Sequence, residues 1–375
     1  MCAVEWKTLD CICSLITKQT GFDYSKTIKP SLSNVNDIGY IPFIQNKDFN
    51  GVNINLKTDY YVPKEIAMQF PKILLDDKAL LISISGKIGN VGYYELPQIS
   101  FIGGAICICR LNGDTNGKYL MYYLQSNKGQ NYLFSSVKAA SHSNITIEDI
   151  RKVIIPIPSL AKQQEIVSHL DTFTTLISNL ESELDMRRKQ YEHYRNQLLD
   201  FEGVEIKLLK ELATVKRGVR VVKTDLEEFG EIPVYQNSLT PLGYKESNNR
   251  NKNTTFVICA GAAGDIGFSD VDFWAADDCS TINCGEWLID KYIYHFLITK
   301  QSFLKSKVRK ASVPRLASSF IENLEVPVPS IKTQQEIVEK LDAFENLIQS
   351  LEQEIKLRKQ QYEYYREKLL TFEKE

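Results

Sequence analysis

The sequence predicts an α+β protein in which two modules of mixed α/β structure are joined by two long antiparallel coiled-coil helices, arranged about a pseudo-two-fold axis. Three observations predict it. Residues 156–202 and 327–373 align without a gap, and about 26 of the 47 positions are identical. Apolar and aromatic residues recur through both blocks at a sustained 4,3 spacing, the seam of a left-handed coiled coil. The stretches outside the blocks also echo one another, but faintly, with an offset that falls from 200 to 171 along the chain. A falling offset means one scaffold carrying loops of different length.

The first module spans 1–155. Its runs ALLISIS and AICICRL lie between turn residues and predict short strands, and a helix is predicted near 117–134. The first helical spacer, 156–202, opens on Pro-x-Pro-Ser, which cannot be helix interior, with Ser159 as the cap. Its seam is Ile166, Leu170, Phe173, Ile177, Leu180, Leu184, Arg187, Tyr191, Tyr194, Leu198 and Phe201. The second module, 203–326, repeats landmarks of the first. VEIKLLKEL answers VEWKTLDCI, GEIPVYQN answers GYIPFIQN, AGAAGDIG answers SGKIGNVG, and KYIYHFLIT answers KYLMYYLQS. A helix is predicted near 288–306. The second spacer, 327–375, starts from Ser330 and carries the seam Ile337, Leu341, Phe344, Ile348, Leu351, Ile355, Arg358, Tyr362, Tyr365, Leu369 and Phe372.

Each helix of about 40 residues is roughly 60 Å long at the α-helical rise. The arginines are the single break in each seam, and a polar seam residue commonly fixes register. The tyrosines act as knobs, their rings packed and their hydroxyls reaching the rim. Because the ends of a compact module lie close together, the second helix must return along the first. That makes the pair antiparallel and brings the C-terminus back to the first module.

Composition excludes several classes. The net charge is −2, which rules out a uniformly basic coat but not local basic faces. No apolar run approaches a membrane span. The opening MCAVEWKTLD has no basic head before an apolar run, so no secretory signal is expected and the location expected is cytoplasmic. The eight cysteines form no CxxC, and buried free thiols are expected, with Cys11/Cys13 and Cys107/Cys109 each sharing a strand face. Walker, HExxH and GxSxG motifs are missing. The pairs Glu5/Lys7 and Glu205/Lys207 are expected to be surface ion pairs. The triplets Gly86/Gly89/Gly92 and Gly261/Gly264/Gly267 are expected to be tight turns. His169 and His193 are expected on solvated helix faces. No catalytic residue and no metal ligand is predicted.

Basic and amide clusters point instead to nucleic acid. KQSFLKSKVRKASVPR at 300–315 carries six Lys or Arg and no acid, SVKAASHSNIT at 136–146 is similarly acid-free, and KESNNRNK at 245–252 combines Lys, Arg and Asn. Lys and Arg suit phosphates, whereas Asn, Gln and Arg suit base edges. The candidate DNA-binding residues are Gln45, Asn46, Lys47, Lys87, Lys138, Ser141, His142 and Asn144 in the first module. In the second they are Gln236, Asn237, Lys245, Asn249, Arg250, Lys252, Lys307, Arg309, Lys310 and Arg315. The repeated Gln-Asn pair reads equally well as a turn former.

Two divergent modules, each followed by a helix opening P-[IV]-P-S-x-x-x-Q-Q-E-I-V and closing Q-Y-x-Y-R-x-x-L-L-x-F, resemble the specificity subunit of Type I restriction–modification systems over essentially the whole chain. The resemblance implies that the modules are target recognition domains, each reading half of a bipartite, asymmetric site in double-stranded DNA. It implies that the helices set the half-site spacing and dock two methyltransferase subunits, with restriction subunits completing the complex. The chain itself is then non-catalytic and without cofactor; S-adenosylmethionine, ATP and magnesium belong to the partners. The rival reading is a protein–protein scaffold with duplicated domains.

Overall fold

The structure, a computed structural model, describes residues 4–134, 144–310 and 312–373. The chain forms two compact units. One comprises Met1–Leu180 together with Glu354–Glu375, and the other Glu181–Gln353.

Both units are built around the same antiparallel four-stranded sheet. In the first its order is Cys13–Lys18, Ile106–Leu111, Ala79–Ser83, Val91–Tyr94; in the second it is Ala213–Arg217, Cys279–Cys284, Thr254–Ile258, Ile266–Ser269. Each unit has a second sheet, four-stranded in the first and three-stranded in the second, that contains a parallel pair. Tyr40–Ile44 lies beside Ser100–Ile102 in one, and Ile232–Tyr235 beside Trp274–Ala275 in the other. The segments between strands account for the divergence. The first unit gives this region its own apolar core, from Ile28 through Phe43 and Phe101 to Ile108, while the second has only a small cluster around Phe256 and Phe273.

Each module ends where it begins. Glu5–Thr8 pairs antiparallel with Ile154–Ile157, the strand that leads into the first long helix. Ile206–Leu208 pairs with Glu325–Pro327, which leads into the second. Glu5 and Lys7 form an ion pair at 2.6 Å, as do Glu205 and Lys207 at 3.2 Å, so both E-x-K pairs are satisfied locally.

The long helices run Leu160–Leu198 and Ile331–Leu369. Within the first unit Phe173 stacks on Tyr365 with ring centroids 5.4 Å apart; within the second Tyr194 stacks on Phe344 at the same distance. In the second unit Arg188 pairs with Glu352, Tyr191 with Glu345 and Tyr194 with Phe344, so partners recede along one helix as they advance along the other, the antiparallel arrangement. The seam also does more than zip helices. Ile166 and Leu170 sit in the first module's core together with Leu370, with Tyr362, Leu369 and Phe372 packed against it. Ile337 and Leu341 sit in the second module's core with Leu199, flanked by Tyr191, Leu198 and Phe201. Ile177, Leu351 and Ile355 are buried, and Leu180, Leu184 and Ile348 are half-buried. Arg187 bonds Glu183 and Gln190, and Arg358 bonds Glu354 and Gln361, so these half-buried arginines are held by neighbours on their own helices.

One cysteine expectation is corrected. Leu9–Ile12 forms a helical turn before the strand begins at Cys13, so Cys11 is exposed while Cys13 is buried. Cys107 and Cys109 do share a buried face, their sulfurs 3.9 Å apart.

Candidate nucleic-acid interface

Three loops meet at one edge of the second module. One leaves strand Ile232–Tyr235 and carries Gln236 and Asn237. The next is the corner Gly261–Gly264. The last closes on itself, because the Arg309 N–H donates to the Arg315 carbonyl at 2.8 Å and the Arg315 N–H returns the bond at 3.3 Å. Backbone bonds stitch the loops together. The Ala262 N–H donates to the Asn237 carbonyl at 2.9 Å, the Gly261 N–H to Pro314 at 3.3 Å, and the Leu316 N–H to Cys259 at 2.8 Å. Gly261 has φ +81°, and a Cβ there would lie 2.8 Å from both the Cβ and the carbonyl oxygen of Asn237. Only glycine allows this approach. Lys307, Arg309, Lys310 and Arg315 are exposed, and Asp278 lies 3.9 Å from Arg315.

The first module builds the same corner. Gln45 and Asn46 follow Tyr40–Ile44. The Asn46 amide donates to the Ser85 carbonyl at 2.6 Å and accepts from the Asn90 amide at 3.4 Å, next to the turn holding Gly86, Lys87 and Gly89. The Ile145 N–H donates to Ile84 at 3.0 Å, the counterpart of the Leu316–Cys259 bond. Lys87 and Asn144 are exposed. Lys47 is paired with Asp59 and lies over the Tyr60 ring. Lys138, Ser141 and His142 lie outside the described residues.

The 245–252 cluster is differently placed. Lys245 rests 4.5 Å above the Trp274 ring, and Lys252 is exposed. Asn249 uses its amide to bracket Ala275, donating to its carbonyl at 3.0 Å and accepting from its N–H at 2.8 Å. Arg250 is 7% exposed and donates to Thr281, to Asn249 and to the Arg217 carbonyl. Its donors are committed inside the module, where they brace the sheet against the loop that carries Asn249.

The helix junctions hold residues that composition did not single out. Gln163, the first glutamine of QQEIV, is buried; it accepts from the Asn116 N–H at 2.8 Å and donates to Pro158 at 2.8 Å. Gln334 does the same with Ile289 at 2.9 Å and Pro329 at 2.9 Å, and also donates to Trp287. Tyr119 and Tyr292 donate to Pro156 and Pro327 respectively. These phenols tie the module helices Gly117–Gln125 and Asp290–Ser306 to the strands that lead into the long helices.

Beside each clamp lies a polar hub. In the first unit Lys118 pairs with Asp171 at 3.1 Å, and the Tyr122 hydroxyl donates to the same carboxylate at 2.6 Å. Burial and the Asp171 charge hold that phenol well above its ordinary range. In the second unit Lys291, His295 and Asp342 take these places. His295 is fully buried, with Nε2 2.9 Å from Asp342 and Nδ1 3.2 Å from the Tyr191 hydroxyl, which donates to Glu345 at 3.0 Å. This corrects the expectation for Tyr191, whose hydroxyl turns inward rather than reaching the rim. Burial disfavours the Asp342 charge, but the His295 hydrogen bond and Lys291 outweigh it and hold the carboxyl below its usual range. His295, Asp342 and Glu345 lie close enough to suggest a metal site. However, the two carboxylates face opposite edges of the imidazole, and Lys291 sits within 3.6 Å of both, so the cluster is a hydrogen-bonded network. The alignment of KYIYHFLIT with KYLMYYLQS, which sets His295 opposite Tyr122, was the signal for it.

The outer faces of the long helices match as well. Leu160 and Ile331 are 52% and 43% exposed, Leu176 and Leu347 37% and 38%, and Met186 and Leu357 59% and 55%. His169 and His193 are exposed, as expected. No helix among the described residues is long and apolar enough to cross a membrane.

A family model described as the Type I restriction modification DNA specificity domain matches residues 22–186 and again 202–357. The chain is 33% identical to the EcoR124I/EcoR124II specificity subunit of Escherichia coli over 68% of its own length and 71% of that protein. It is 27% identical to a putative type I restriction enzyme specificity subunit of Haemophilus influenzae over 98% and 96% of the two chains. In fold it is similar to the S subunit of a Type I restriction-modification system from M. genitalium, with a TM-score of 0.69, 18% identity and coverage of 100% and 97%. With two family domains spanning most of its length and both modules built to one plan, the chain belongs to the specificity subunits of type I restriction–modification systems.

Proposed function

We propose that each module reads one half of a bipartite, asymmetric site in double-stranded DNA, while the long helices set the interval between halves and dock two methyltransferase subunits. The observation that carries this reading is the unequal divergence of the two repeats. The helices keep the same clamp glutamines, the same seam and near-equal exposure of the same outer apolar positions, which suits two identical partners. The modules keep a common sheet and a common three-loop edge but differ in loop length and side chains, which suits two different sequences. The exposed cations of the 307–315 loop are placed for phosphates, which position a reader without specifying sequence. Target adenine methylation with S-adenosylmethionine, and ATP- and magnesium-dependent restriction, are assigned to partner subunits. The chain itself is assigned no catalytic role.

The test is to express the full chain with its cognate methyltransferase subunit and map methylated adenines. One two-part motif is expected, and exchanging residues 203–326 for the equivalent module of another family member should change one half of it. Methylation without a two-part motif, or a change in both halves, would reject the reading.

A further inference from the structure

We infer that Asn237, and not its sequence counterpart Asn46, reads a base, and that the base is an adenine. The inference rests on the reading of the modules as DNA-binding. The two asparagines follow glutamines at the end of equivalent strands, and both abut the glycine corner. Their amides have opposite fates. Asn46 is half-buried, and both ends of its amide are engaged, by Ser85 at 2.6 Å and Asn90 at 3.4 Å. It is a strut for the turn.

In the second module only the Asn90 amide is replaced, because the Ser85 partner is a backbone carbonyl that the matching residue keeps. The position matching Ser85 is Ala260, whose strand end bridges to Arg315. The position matching Asn90 is Asp265, which is turned to Lys305 at 2.7 Å and Gln301 at 3.3 Å. Asn237 is tied to the corner by its backbone carbonyl, and its exposed side chain has no hydrogen-bond partner among the described residues. Through Gly261 it adjoins Pro314, inside the loop that exposes Arg309, Lys310 and Arg315.

An amide fixed at its backbone, free at its tip and flanked by cations is arranged for readout. The cations hold phosphates, and the side chain offers one donor and one acceptor side by side. Adenine alone presents the complementary N7 acceptor and N6 donor in the major groove. A bidentate contact of that kind discriminates roughly 5- to 150-fold against other bases.

The experiment uses the full chain in complex with its methyltransferase subunit and a randomised DNA library, read by methylation, with thermal melts run alongside. Asn237→Ala should relax one A·T position within one half-site by about 5- to 150-fold, leaving the other half-site and the melting temperature unchanged. Asn237→Asp, an acceptor only, should disfavour adenine at that same position. Asn46→Ala should lower the melting temperature without relaxing any position. Unchanged preference in Asn237→Ala, or a relaxed position in Asn46→Ala, overturns the inference while leaving the DNA reading intact. A wild-type complex without sequence preference overturns both.

Discussion

Two glutamines do more for this fold than their polarity suggests. Gln163 and Gln334 are buried at 1% and 0% exposure, and each satisfies a backbone N–H at the start of a module helix and a proline carbonyl at the start of a long one. Replacing either with alanine strands those backbone groups away from water, at a cost of about 1–3 kcal/mol. The exposed neighbours Gln164 and Gln335 make no such bonds in the structure. Calorimetric unfolding should therefore show Gln163→Ala and Gln334→Ala melting early and Gln164→Ala and Gln335→Ala close to wild type. The doublet QQ reads as a single motif in the sequence, and its two members part company only because the helix turns 100° between them.

At the scale of elements, the seam was legible and its ends were not. A 4,3 repeat identifies which residues face inward, but it is silent on what they face. Ile166, Leu170, Ile337 and Leu341 face modules, and Tyr191 meets a buried histidine, because a third element packs at each end. The duplicated sheet was visible as echoes of β-rich runs around glycine turns. The second core of the first module was not, since it is assembled from short strands too far apart in sequence to show periodicity. Site residues followed the same rule. The basic loop stood out by composition, whereas the roles of Asn46, Asn249 and Arg250 depended on partners as many as 44 positions away. The two hubs give this level its own test. Tyr191→Phe removes the hydroxyl between His295 and Glu345 and leaves a buried ring nitrogen short of a partner, costing about 1–3 kcal/mol. The hub of the other unit is closed by Tyr122 on Asp171, so Tyr362→Phe should cost less than half as much. Equal losses in chemical denaturation would show that the hubs are not distinct.

For the whole molecule, the first unit is made from two separated stretches of chain. Leu370 is 1% exposed within a core otherwise supplied by residues 9–170. Glu367 accepts from the Asn127 N–H at 3.1 Å, and Lys128 reaches the Phe372 carbonyl at 3.3 Å. A chain ending at Gln353 keeps every residue of the first module and loses its closing helix. It should unfold at lower denaturant than the intact protein and bind a hydrophobic dye, with the loss confined to the first of two transitions. A peptide of residues 354–375 added in excess should restore part of it by mass action. The same feature sets an order of events on the ribosome. The amino-terminal unit waits for its final strip of wall until about 190 further residues have been made, roughly 10 to 40 s at ordinary elongation rates. The unit between, whose stretch of chain is continuous, has every piece it needs sooner. A nascent chain stalled near its end thus carries a finished second half and an unfinished first, and it is the oldest part of the polypeptide that stands in need of a chaperone.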